Sequence, residues 1–307
     1  MKKEELINSG GGWNPGRMEY KPIFVWPPQP IAFLKWLFNY PDGHLFPWAT
    51  VHIVITVISY FYFLPAIERC ANFHIDWISI IFFRNFFILF VYTGLWHLRL
   101  HFFKSQEDKY RYNLKPLGKG KTWLFGSQTR ENMFWSLCSA LPIWTAYESI
   151  MLWCYANNFM LFPIHDWSSN PIYFCLLFLA IPIIQHIHFY LTHRLTHWKP
   201  LYKWVHYLHH KNVNVGPWSG LSMHPVEHMI YLTTILLHFV IPSHPIHFMY
   251  QGMHTVLGAQ KGHTGYERLV VNKNTGSSIP SAGYFHYLHH RYFECNYGEL
   301  TSPLDKR

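Results

Sequence analysis

Four long apolar stretches constrain the fold of this chain more than any other feature. A helix needs about 20 mostly apolar residues to cross a bilayer. Arg84 lies inside the second stretch and would need a partner there. We therefore predict an all-α protein, a multi-span integral membrane helical bundle with about four spans. The stretches are Trp48 to Ala66, Trp77 to Leu98, Met133 to Tyr155 and Pro171 to Phe189.

The distribution of charge predicts which side of the membrane each loop faces. The loop between the second and third stretches carries eight basic residues, whereas residues 156–170 carry none. By the positive-inside rule that loop is cytoplasmic, and the count then places the N-terminus and the region after the fourth stretch in the cytoplasm. The chain has a net charge of +9 but lacks the dense basic runs of a nucleic-acid-binding protein, so no nucleic-acid partner is expected. The eight residues are Arg99, Lys104, Lys109, Arg111, Lys115, Lys119, Lys121 and Arg130.

A further apolar segment, Met229 to Tyr250, is interrupted by Pro242 and Pro245, and each half is too short to cross a bilayer. We predict a re-entrant helical hairpin that returns to the side from which it came. Residues 1–47 are then an N-terminal cytoplasmic or interfacial segment. Residues 48–307 form one membrane-embedded domain, with a histidine-box region over residues 171–305.

Three histidine boxes follow the fourth stretch. On a helix, positions i, i+3 and i+4 share one face, so each box directs two or three imidazoles toward a common point. Eight or more histidines are too many for one ion, which predicts a cytoplasmic cap that holds two metals. The boxes are His193-x-x-x-His197, His206-x-x-His209-His210 and His286-x-x-His289-His290.

The residue types narrow the metal chemistry without deciding it. Imidazole binds iron, copper, nickel and zinc alike. The sequence has no H-E-x-x-H motif, and no carboxylate lies within a box to act as the base of a zinc hydrolase. The five cysteines include no C-x-x-C pair, so a thiolate zinc site is not predicted. Dioxygen chemistry at two irons fits the pattern better.

The motifs HRLTH, HYLHH, HPVEH, HYLHH and HHRYFECNYGE resemble the fatty acid hydroxylase/sterol desaturase superfamily over Pro171 to Asp305. The resemblance also implies a ligand role for the isolated His263. Within HPVEH, it implies that His224, Glu227 and His228 either bind metal or support the ligands. The implied metal ligands are His193, His197, His206, His209, His210, His263, His286, His289 and His290.

The resemblance implies a membrane-bound non-haem di-iron oxygenase that uses O2 to hydroxylate a lipid. The substrate would be a fatty acyl chain, a sterol or a polar membrane lipid such as an ornithine lipid, since residues 216–228 resemble a bacterial lipid-hydroxylase branch. A sterol or fatty acyl desaturase is the alternative. The sequence has no dinucleotide, haem-attachment or iron–sulfur motif, so a separate ferredoxin or cytochrome b5-type protein would supply electrons. The host membrane is the bacterial inner membrane or the endoplasmic reticulum.

A protein of another class, a histidine-rich metal transporter or metal-binding membrane protein, is the more distant alternative. Transport would place histidines or acids along a path through the spans, whereas the boxes cluster outside them. Two further pairs, His97/His101 and His186/His188, are assigned to interfacial anchoring or local hydrogen bonds. His244, His247 and His254 are assigned a surface or lining role.

Overall fold

Helices form most of the protein. The computed structural model describes residues 6–7, 11–16, 18–162, 166–301 and 303–306. Within them lie α1 (Pro30–Phe38), α2 (Thr50–Phe63), α3 (Ile75–His97), α4 (Gln128–Trp135), α5 (Leu141–Ala156), α6 (Pro171–Thr196), α7 (Lys199–Leu201), α8 (Tyr207–His210), α9 (Pro225–Leu232), α10 (Pro245–Gly262) and α11 (Tyr284–Tyr292). The predicted helical class is confirmed.

Two small antiparallel hairpins are the exception to the helical class among the described residues. In one, β1 (Leu6–Ile7) pairs with β2 (Trp13–Asn14), and in the other β3 (Arg268–Asn272) pairs with β4 (Ser277–Pro280). The second hairpin connects α10 to α11 and so spaces the last histidine box from His263.

Three helices in the described part of the chain are long and apolar enough to cross a membrane. They are Leu45–Phe63, Ile75–Phe102 and Pro171–Thr196, and they contain the first, second and fourth predicted stretches almost entirely. Many of their large apolar side chains face outward, including Phe83, Phe87 and Leu176. A helical membrane protein is therefore the consistent interpretation.

The third predicted stretch, Met133 to Tyr155, is helical but is not among the three spans. A π-helical turn, Ser136–Ala140, joins α4 to α5 there. More than half of the α5 residues are buried. One of them is Glu148, whose charge makes the helix less apolar. Glu148 forms a buried ion pair with Arg84 on α3, which gives the intramembrane arginine its partner.

The segment predicted as a helical hairpin is interrupted where its prolines suggested. Helix α9 continues through the 3₁₀ helix Thr233–Phe239, and α10 begins at Pro245, whose first turn is capped by His244. Proline suits the first turn of a helix because its missing N–H is not needed there. That the hairpin re-enters the membrane, and that residues 1–47 form a separate segment, remain predictions.

Helix α10 organises the interior of the protein. It packs against α2, α3, α5 and α6, and most of its residues are buried. Just past its C-terminal end, His263 lies beside His209 of α8 and His286 and His290 of α11. The helix thus connects the apolar core to the histidine-rich region.

Candidate metal centre

Nine histidines meet in two groups. When one ring nitrogen is taken from each histidine, the nitrogens of a group all lie within 4.8 Å of one another. Every ring except that of His197 is buried. These are the nine histidines selected from the sequence, although their role as ligands stays a prediction. The first group is His193, His197, His206, His210 and His289, and the second is His209, His263, His286 and His290.

Helical spacing explains how the boxes are divided between the two groups. Histidines four residues apart in a box join the same group, while the middle histidine of each H-x-x-H-H box joins the other group. Successive residues on a helix are rotated by about 100°, so adjacent rings diverge. The ring centroids of His209 and His210 are 6.0 Å apart, and those of His289 and His290 are 6.1 Å apart. The two H-x-x-H-H boxes thereby connect the groups.

Backbone carbonyls orient three of the imidazoles through Nδ1. A carbonyl oxygen only accepts hydrogen bonds, so Nδ1 carries the proton and Nε2 of the neutral ring keeps a bare lone pair. These three Nε2 atoms are available to a cation. The hydrogen bonds run from His193 Nδ1 to Tyr297 O (2.6 Å), from His289 Nδ1 to Cys295 O (2.6 Å) and from His263 Nδ1 to Ala259 O (2.7 Å).

The nitrogen positions fit bound metal ions in both groups. His197 Nε2 lies 3.1 Å from Nε2 of His206 and His210 and 3.0 Å from that of His289. A proton on His197 Nε2 can satisfy only one of these three contacts, so the remaining lone pairs repel one another unless a cation lies among them. Nitrogens bound to one ion at about 2.1 Å lie about 3 Å apart. In the second group, both ring nitrogens of His286 are buried without a partner in the described part of the chain.

Burial keeps the imidazoles in the neutral form that binds metal. Desolvation lowers the pKa of His197 to about 3 and those of His263 and His289 to about 4. Burial, reinforced by neighbouring imidazoles, also holds the pKa values of His286 and His290 well below the usual range. A metal ion therefore does not need to displace protons from these rings at neutral pH.

The HPVEH residues have three different roles. Glu227 Oε1 accepts a hydrogen bond from His206 Nδ1 at 2.7 Å, and this contact fixes the orientation of a ring in the first group. His224 Nδ1 accepts from Val226 N and caps α9. His228 is engaged at both nitrogens, with Ser139 Oγ and the Leu221 carbonyl. Of the three, only Glu227 makes a side-chain hydrogen bond to a histidine of either group within the described residues.

Two histidines outside the boxes make the local hydrogen bonds expected of them. His101 Nε2 donates to Thr264 O at 2.8 Å, beside His263, and so braces the end of α10. His188 Nε2 is 2.9 Å from Thr233 Oγ1. Neither belongs to the two groups.

Asp305 supports the first group indirectly, and sequence reasoning gave it no role beyond its place in the closing motif. Its two carboxylate oxygens accept hydrogen bonds from Tyr297 N at 2.8 Å and Gly298 N at 2.7 Å. The Tyr297 carbonyl on the same loop holds His193. The carboxylate therefore anchors the loop that orients a ring of the first group.

Asp305→Ala is expected to weaken metal binding by the first group about 10- to 100-fold, the usual effect of removing a group that orients a metal-bound histidine. Metal content is measured after dialysis against a graded series of chelator concentrations. Glu294→Ala, an exposed carboxylate on the same loop, is the matched control and should behave as the unmodified protein. Equal metal retention in both variants would contradict the anchoring role.

A cavity of about 270 Å³ adjoins the second group. His209, His263 and His286 line it, and Phe189, Met223 and Tyr231 form a largely apolar wall beside them. Sites for small molecules are typically concave and mostly apolar with a few polar groups. The cavity is thus placed to hold part of an apolar molecule against the second histidine group.

Comparison with known proteins identifies relatives of the histidine-rich half. Residues 178–307 match the fatty acid hydroxylase family. A Delta(7)-sterol 5(6)-desaturase of Gibberella zeae is 31% identical over 119 residues, which are 38% of this chain and 35% of that protein. The Delta(7)-sterol 5(6)-desaturase of Saccharomyces cerevisiae is 28% identical over 38% of this chain and 31% of its own length.

A methylsterol monooxygenase 1 of Gallus gallus is 25% identical over 147 residues, 46% of this chain and 49% of that protein. The aligned part of the chain thus spans about a third of the length of the sterol desaturases and about half of the monooxygenase. No solved structure matches the chain. The resemblance inferred from the histidine motifs is confirmed.

Proposed function

Because residues 178–307 match the fatty acid hydroxylase family and the chain resembles sterol desaturases and a methylsterol monooxygenase, we propose that it is a membrane-bound di-iron oxidoreductase that uses O2 to hydroxylate a lipid. The observation that carries the proposal is the pair of converging, largely buried histidine groups, one of which forms part of a cavity wall. We assign one iron to each group.

The protein's own residues would bind, orient and shield the reacting groups. Bound iron would activate O2 and allow hydrogen to be removed from an unactivated C–H bond. The carbonyls of Tyr297, Cys295 and Ala259 hold their imidazoles in the tautomer whose Nε2 faces inward. Phe189 and Met223 line the cavity next to the second group and exclude water, which the chemistry requires.

A desaturase is the second candidate, and the sterol desaturases among the relatives favour it. Both reactions would begin with removal of one hydrogen from a C–H bond. Hydroxylation then adds an oxygen atom to that carbon, whereas desaturation removes a second hydrogen from the neighbouring carbon. Substrate position in the cavity would decide between them. The candidate substrates are fatty acyl chains, sterols and polar membrane lipids. The candidate host membranes are the bacterial inner membrane and the endoplasmic reticulum.

A separate acidic electron carrier, a ferredoxin or cytochrome b5-type protein, would dock on the cytoplasmic side. Arg194, Lys199 and Lys203 are exposed at the end of α6 and around α7, next to the first group. Complementary charge of this kind raises association rates and makes them sensitive to salt. An association rate that does not fall with ionic strength would count against this docking face.

The direct test of the proposed function measures metal and product together. Protein purified from iron-supplemented cells is expected to contain two irons per chain. Supplied with O2, a reducing system and extracted membrane lipids, it is expected to produce a lipid heavier by one oxygen atom. A product lighter by two hydrogens would favour the desaturase. Zinc instead of iron, with no lipid oxidation after iron reconstitution, would contradict both.

A further inference from the structure

A third cluster of histidines lines the same cavity, away from the two candidate metal groups. It consists of His52 on α2, His186 on α6 and His254 on α10. His52 Nδ1 lies 3.1 Å from His254 Nδ1, and the ring centroids of His186 and His254 are 6.3 Å apart. The three rings belong to neither metal group.

His186 is the member of this cluster with unmet hydrogen-bonding capacity. Its Nδ1 is buried and has no partner in the described part of the chain. The neighbouring Gln185 is already occupied, because its Oε1 accepts from Gln251 Nε2 at 3.0 Å and from Thr255 Oγ1 at 2.8 Å. Nδ1 is enclosed and does not reach the cavity, whereas Nε2 is accessible and makes no hydrogen bond within the described residues, so a hydroxyl group bonded to Nε2 would be favoured.

The cluster lies well away from both metal groups along the helices. His254 precedes His263 by nine residues, and at 1.5 Å per residue this is about 13 Å along the axis of α10. His186 precedes His193 by seven residues, or about 10 Å along α6. One cavity is lined by both the cluster and the second group. A single extended molecule can therefore touch both.

The chemistry around the cluster favours an uncharged polar group. His52 and His186 belong to helices with the length and composition of membrane spans, where a charged ligand would be costly. Of the charged side chains that line the cavity, Arg268 pairs with Asp42, Lys261 donates to Ser281 O and Glu267 accepts from Tyr112 Oη. Lys21 and Glu299 also line it. A neutral imidazole presents one donor and one acceptor nitrogen, and a hydroxyl group likewise donates and accepts.

We propose that His186, backed by His52 and His254, binds the hydroxyl group of an uncharged lipid whose chain runs along the cavity to the second histidine group. The binding site rests on the cavity and the cluster, whereas the oxidation of the lipid at its far end rests on the proposed function. An extended chain advances about 1.2 Å per bond, so the reacting carbon lies about ten bonds from the hydroxyl.

The test is photolabelling of the full chain in lipid nanodiscs, without a reductant. The probe is a long-chain primary alcohol with a diazirine about ten bonds from its hydroxyl. We expect saturable labelling on the peptides that contain Phe189, Met223 and Tyr231, and competition by the unlabelled alcohol. The alkane without a hydroxyl and the carboxylic acid of equal length should compete less well.

The variants isolate the contribution of His186. His186→Leu should weaken competition by the alcohol three- to tenfold, about the effect of one neutral hydrogen bond, and leave competition by the alkane unchanged. His186→Gln, which can still hydrogen-bond, should recover most of the loss. His188→Leu is the control on the same helix, because His188 bonds to Thr233 and does not line the cavity.

Equal competition by alcohol and alkane, tighter binding of the carboxylic acid, or unchanged binding in His186→Leu would each overturn the proposal. Because labelling needs neither electrons nor turnover, its outcome is separate from that of the proposed function. Hydroxyl-dependent labelling without any lipid oxidation would support the binding site and contradict the oxidoreductase assignment. Lipid oxidation with labelling independent of His186 would support the oxidoreductase assignment and contradict the binding site.

Discussion

His197→Ala is expected to remove the metal of the first histidine group and to reduce lipid oxidation by more than 100-fold. Its Nε2 lies within 3.1 Å of Nε2 of His206, His210 and His289, so no other ring in that group has as many close nitrogen neighbours. Loss of a residue that only orients a ligand costs about 10- to 100-fold, and loss of a central ligand should cost more. Iron per chain, measured by elemental analysis, should fall by about half.

Two further variants make this prediction specific. His286→Ala should remove the metal of the second group instead, again by about half of the total. His74→Ala changes an exposed histidine at the start of α3 and should retain the full metal content. The assignment of one metal to each group fails if His197→Ala and His286→Ala both keep the full complement.

Glu148→Ala is expected to lower the free energy of unfolding by about 3–5 kcal/mol, because it leaves the Arg84 guanidinium charged and buried without its partner. The side chains of Arg84 and Glu148 are 2% and 3% exposed. Asn85, between them, donates to Glu148 Oε2 at 3.1 Å and would lose that bond as well. Denaturant titration in detergent, followed by tryptophan fluorescence, measures the loss.

The double variant Arg84→Met/Glu148→Leu tests the reason for that loss. It removes both charges together and should recover most of the stability, since apolar residues of similar volume often replace a buried ion pair at little cost. Asp108→Ala breaks the pair between the exposed Asp108 and the half-buried Arg111 and should cost only about 0.2–1 kcal/mol. A double variant as unstable as Glu148→Ala would show that packing, and not the unpaired charge, causes the loss.

Local sequence patterns predicted much of the fold. Three of four long apolar stretches correspond to helices with the length and composition of spans. The prolines at 242 and 245 marked the interruption before α10. The pairing of Arg84 with Glu148 was missed, although both residues lie in the predicted stretches. Apolar length is visible along one helix, whereas which faces of two helices meet depends on how the helices pack.

The histidine site was likewise predicted in part from local sequence patterns. Spacing within the boxes predicted which rings share a helix face, and the superfamily resemblance added His263. Helical rotation makes the rings of His209 and His210 diverge, but which group each ring joins depends on how the helices pack against one another. The hydrogen bond from His193 to Tyr297 joins residues over 100 positions apart. The bond by which Asp305 anchors that loop lies within a segment that has no periodic pattern. No local pattern predicts such contacts.

By itself, the sequence determined the helical class, the approximate positions of the spans and the eight box histidines that come together. These depend on local properties: apolar length, helical periodicity and the residue types at fixed spacing. Only the tertiary structure decided the division into two groups, the carbonyls and carboxylates that orient the rings, and the cavity that His186 shares with His263. Those features arise where helices distant in sequence pack together, because the crossing of the helices sets which side chains face one another.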